Sequence, residues 1–75
     1  MFAVEPYRFF FTAVDAGERP HAHVRRDQFV ARFWLDPMAL AKDGGLSVAE
    51  ITRIQRTITR YQSRLLAEWT AFFAG

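Results

Sequence analysis

The chain has no cysteine. Disulfides are therefore excluded, and a zinc site would have to be built without thiolates. It also has no strong charge of either sign, with a formal net charge of +2, which falls short of the basic footprint of a dedicated nucleic-acid binder without excluding nucleic acid. No apolar run is long enough to span a bilayer, and Glu5 and Pro6 precede the first long apolar run with no basic leader before them. The expectation is a soluble, cytoplasmic protein with no membrane partner. Repeats and low-complexity segments are absent as well.

What is present is apolar and aromatic. Hydrophobic residues make up 51% of the 75 positions, and eight of them are phenylalanine. A chain this short is near the lower limit for folding without a staple, so burial has to supply its stability. The expectation is one domain over residues 1–75, with some of the rings facing a partner. Charge is unevenly placed. Residues 1–46 hold six basic and six acidic groups, whereas the last third carries Arg53, Arg56, Arg60 and Arg64 against Glu50 and Glu68.

The pattern along the chain predicts an α+β fold. "YRFFFTAV" (7–14) reads as a first strand, followed by the turn residues of "DAGERP". "HAHVRR" (21–26) and "FVARFWL" (29–35) read as a hairpin closed by Asp27-Gln28. "MALAK" (38–42) is either a brief fourth strand or a loop. "SVAE" (47–50) has the form of a capping box. From there Ile51, Ile54, Ile58, Tyr61, Leu65, Trp69 and Phe72 keep helical spacing to about residue 74. The predicted architecture is a small antiparallel sheet of three to four strands packed on a long C-terminal helix over 48–74. A straight helix of that length would reach roughly 40 Å, against a diameter near 30 Å for a compact chain of this size. Either it breaks or bends around Tyr61–Ser63, or its end projects, exposing Trp69, Phe72 and Phe73 for a second copy of the chain. The apolar phase runs through 61–63 without a shift, which favours continuity.

Strand alternation assigns faces. Ala22 and Val24 belong against the helix, leaving His21, His23 and Arg25 opposite. With Arg8 and Phe10 from the first strand and Arg32 and Trp34 from the third, the outer face interleaves cations with aromatics. Such a surface suits a protein interface, in which Trp and Arg are favoured anchors, or stacked bases and phosphates. The plain alternative is a solvated face with long basic side chains lying over rings. The helix arginines form a second cationic arc, read as a solvated face.

His21 and His23 are the chain's only histidines. On one side of a strand they could share an ion, but a site would need carboxylates as well, with Asp15, Glu18 and Asp27 nearest in sequence. This is the weakest of their readings, and no metal or other cofactor is expected. As catalysts they could serve as the acid–base pair of a metal-independent ribonuclease, with Arg25 or Arg26 clamping phosphate. Structurally, an imidazole could hydrogen-bond a turn carbonyl while Pro20 starts the strand.

The stretches "GERPHAHV", "ARFWLDP" and "RLLAEWTAFF" resemble a family of short bacterial proteins known as domain of unknown function 4160. The resemblance extends from about Tyr7 to Phe73 and departs at Arg19, where relatives commonly carry a second proline. It implies that the last segment is a separate short helix. It also implies a component of a two-gene, toxin–antitoxin-like module, hence a protein partner. The primary expectation is an interaction module rather than an enzyme, with two alternatives: the ribonuclease, and an inhibitor that binds a host or phage-defence complex.

Overall fold

The computed structural model describes residues 2–74, Phe2 by its backbone alone. Five strands form one antiparallel meander in chain order: β1 (Phe2–Val4), β2 (Tyr7–Phe10), β3 (His21–Arg26), β4 (Phe29–Leu35) and β5 (Met38–Lys42). Two helices follow, α1 (Val48–Arg60) and α2 (Gln62–Ala74). The α+β class is as expected, but the sheet has five strands and the helical region is divided in two.

Alternation positions the sheet. Phe9, Ala22, Val24, Ala31, Phe33 and Leu35 point to the helices and are buried, joining Ile51, Ile54, Ile58, Leu65 and Trp69 in one core. β3, β4 and β5 occupy the stretches expected of them, MALAK being a strand. β3 and β4 are joined through Asp27-Gln28, with Arg26 opposite Phe29 and Asp27 at φ 54°. β1 was not anticipated: three residues carry too little period to be read, yet Ala3 pairs with Arg8 and Val4 with Tyr7 across Glu5-Pro6.

The first expected strand is shorter than its apolar run. β2 stops at Phe10, and Ala13–Asp15 form a 3-10 turn. The Thr12 hydroxyl donates to Asp15 Oδ2 at 2.7 Å, and the Asp15 amide donates to the Thr12 carbonyl at 3.1 Å. These local bonds offer the backbone an alternative to the ladder, and Val14, though β-branched, is left 85% exposed.

Ser47 caps α1. Its hydroxyl accepts from the Glu50 amide, and Glu50 accepts from the Ser47 amide, so the capping box is formed. The long helix breaks at Tyr61, at φ −112° and ψ 22°. The continuity favoured by the apolar phase is therefore corrected to the break, in line with the separate last helix that the family resemblance implies. The Gln62 side chain donates to the Leu35 carbonyl at 2.7 Å and ties the start of α2 to the end of β4. The folded-back chain measures 35 × 23 × 20 Å. Its aromatic end does not project: Trp69 is buried and packs edge-on against Phe11, while Phe73 lies partly buried on the core and Phe72 stays 43% exposed. No helix of the described residues is long and apolar enough to cross a membrane.

Candidate functional site

The sheet face away from the helices is built in cross-strand rows. Arg8 sits opposite Arg25 and Arg25 opposite Val30; Phe10 faces His23, His23 faces Arg32, and Arg32 faces Lys42; His21 faces Trp34. The five strands contain no aspartate or glutamate at all, against Arg8, Arg25, Arg26, Arg32 and Lys42. Like charges directly opposite destabilise a sheet, so the Arg8–Arg25 pair has no structural benefit of its own. A shallow pocket of about 350 Å³, lined by Pro6, Arg8, Arg25 and Asp27, lies over it. Arg25 directs its Nε to the Asp27 carbonyl at 3.0 Å, while the Asp27 carboxylate takes Arg26 at 2.9 Å.

The aromatics of this face are already engaged. Phe10 stacks on His23, centroids 5.1 Å apart and planes 17° from parallel. The Arg19 guanidinium lies 4.5 Å over the Trp34 ring, which His21 meets edge-on at 5.4 Å. Arg32 is half-buried, and its Nε is enclosed with no hydrogen-bond partner.

Two expected site residues are placed differently. Arg26 alternates to the helix side, where Glu50 and Asp27 pair with it, so it cannot clamp a ligand beside the histidines. His21 has the expected parity but is not exposed. It lies at the end of the sheet, where α2 folds over, and contacts Trp69 at 5.2 Å with no solvent exposure. A strand-face argument cannot see a helix closing over the strand's end. His23 keeps 19% of its side chain exposed.

Both histidines converge on Asp15. His23 Nε2 lies 3.0 Å and His21 Nε2 3.2 Å from the same carboxylate oxygen, Oδ2, which also accepts from Thr12. His21 Nδ1 lies 2.8 Å from the Arg19 carbonyl, the turn-carbonyl bond expected of one imidazole. Burial acts to raise the Asp15 pKa, but the Thr12 hydroxyl, the His23 hydrogen bond and the adjoining imidazoles outweigh it and hold the group at about 2. Sequence proximity alone marks Asp15 only as a nearby carboxylate. The signal that marks it is Thr12-x-x-Asp15, a local hydrogen-bonding turn directly before the histidine strand.

These features define a class: a small five-stranded meander with two helices on one face, cationic strands without carboxylates on the other, and a largely buried Asp–His–His cluster at one end. The particular family follows from the sequence. The model of the family described as domain of unknown function (DUF4160) matches residues 7–70, and the chain belongs to that family. No curated protein and no solved structure matches it.

Proposed function

We propose that the protein is a small protein-interaction module, a toxin–antitoxin-like component that uses its open sheet face to hold an acidic partner protein. One observation carries this reading: among the described residues Arg8, Arg25, Arg32 and Lys42 make no ion pair, while the rings of the face are engaged. Recognition of stacked bases needs uncovered aromatic faces, but Arg19 covers Trp34 and His23 covers Phe10. Arg8, Arg25, Arg32 and Lys42 line a surface whose strands carry no carboxylate. Complementary carboxylates from a partner would relieve the repulsion between Arg8 and Arg25, which sets orientation and partner choice more than raw affinity.

The ribonuclease reading has less support, because an acid–base pair must reach the substrate and His21 is enclosed. An inhibitor of a host complex would use the same surface without chemistry.

The test is recovery of a partner from bacterial extract, with and without nuclease treatment, by the wild type and by Arg8→Glu/Arg25→Glu, a pair exposed on the surface. Recovery of an acidic protein by the wild type, reduced about tenfold or more by the double reversal, supports the proposal; tenfold corresponds to about 1.4 kcal/mol. Undiminished recovery counts against the sheet face. Loss of recovery on nuclease treatment, or RNA cleavage by the wild type that His23→Ala abolishes, would favour the ribonuclease.

A further inference from the structure

The donors and acceptors around Asp15 do not balance. A backbone carbonyl only accepts, so the Arg19 carbonyl at 2.8 Å requires the proton of His21 on Nδ1. In the neutral ring, Nε2 then presents a lone pair. That lone pair is fully buried, has no hydrogen-bond partner, and faces the Asp15 carboxylate oxygen Oδ2 3.2 Å away, which already accepts from Thr12. Two acceptors at that distance repel unless a positive centre lies between them.

We propose that this centre is a divalent first-row metal ion, zinc by its donor set, held by one Asp15 carboxylate oxygen, His21 Nε2 and His23 Nε2. These ligand atoms all lie within 4.8 Å of one another. The separations of 3.0 and 3.2 Å between Oδ2 and the two nitrogens approximate two edges of a tetrahedral zinc site, about 3.3 Å for bonds of about 2.0–2.1 Å, and the two nitrogens lie within 4.8 Å of each other. The outer partners are those that ligands require. The Arg19 carbonyl fixes the His21 tautomer so that Nε2 is free to coordinate, and the Thr12 hydroxyl orients the Asp15 carboxylate. His23 currently directs an Nε2 proton at Asp15, and moving that proton to Nδ1 frees the third ligand without net proton release. Three protein ligands leave a fourth position open, and solvent reaches the cluster past His23, the most exposed of the three. Two nitrogens and one carboxylate suit zinc, whose sites do not require thiolate. The inference does not depend on the partner assigned to the sheet face.

The test is calorimetric titration of chelator-treated, untagged protein with Zn²⁺, followed by Co²⁺ as a spectroscopic probe. With two histidines and no cysteine in the chain, histidine-based binding has a single address. The expected result is one equivalent of Zn²⁺, visible bands of four-coordinate Co²⁺, and a rise in unfolding temperature with Zn²⁺ concentration. His23→Gln, at the most exposed ligand, should weaken binding more than the about 10–100-fold typical of outer-shell changes, and Thr12→Val should fall within that range. Asp15→Asn should weaken Zn²⁺ while circular dichroism reports whether the fold persists. Absence of binding to the folded wild type would overturn the proposal. Zn²⁺ affinity unchanged in folded Asp15→Asn or His23→Gln would overturn it equally, by showing a site elsewhere or a simple histidine pair.

Discussion

At the scale of single residues, the fold depends on positions whose chemistry is local but whose partners are distant. Asp15 shows this: it ends a turn begun by Thr12, and its carboxylate then meets two imidazoles from the next strand. The histidine spacing made one shared side of a strand legible. The carboxylate's place was not, since it depends on how the five residues between Asp15 and β3 fold back. Gly44 is a second such position. At φ +63° a β-carbon there would stand 2.0 Å from the Val30 carbonyl oxygen, which is backbone and cannot swing aside. Gly44→Ala combines left-handed strain with this collision, so it should lower stability by more than about 1 kcal/mol. Urea denaturation checks this, and a midpoint equal to wild type would contradict the close approach of the two backbones.

At the scale of elements, legibility followed period. β3 and β4 have six and seven residues with clear alternation and one buried face, and their bounds could be read directly. β1, with three residues, offered no period, and the run after Phe10 was β-like in composition but was taken by the Thr12–Asp15 turn. The helical break was invisible to the apolar phase, because Ile58 and Leu65 are buried on either side of it. It rests on Gln62 binding a β4 carbonyl, a tertiary contact. The start of α1 is joined to the sheet by Glu50, which caps the helix and pairs with Arg26 of β3. The Arg26 guanidinium holds the Glu50 carboxyl below its usual value of 4.5; burial opposes this, and bonds from the Ser47 amide and the Tyr7 hydroxyl reinforce it. A depressed folded-state value means that the stabilisation is fully present above the unfolded value and disappears as pH falls through the folded one. The difference in urea midpoint between wild type and Glu50→Gln should therefore be largest near neutrality and shrink as the pH drops below 4.5. A difference that grows on acidification would refute the pairing.

At the scale of the whole molecule, the two faces of the sheet divide the work. One buries a continuous core under both helices, with Trp69 folded back against Phe11 and His21. The other carries cations on strands that contain no carboxylate. The composition of this outer face was readable from alternation, but the engagement of its rings by Arg19 and His23 was not, because both contacts cross between separate segments. On the function we propose, that engagement favours carboxylates over bases as the ligands of this surface. The most direct measurement is a titration of ¹⁵N-labelled protein with a glutamate-rich peptide and, separately, with a single-stranded RNA of equal charge. Tighter binding of the peptide is expected, with shift changes centred on Arg8, His23, Arg25, Arg32 and Trp34. Preference for the RNA, or shift changes centred on Arg53, Arg56 and Arg60 of α1, would contradict the proposed function.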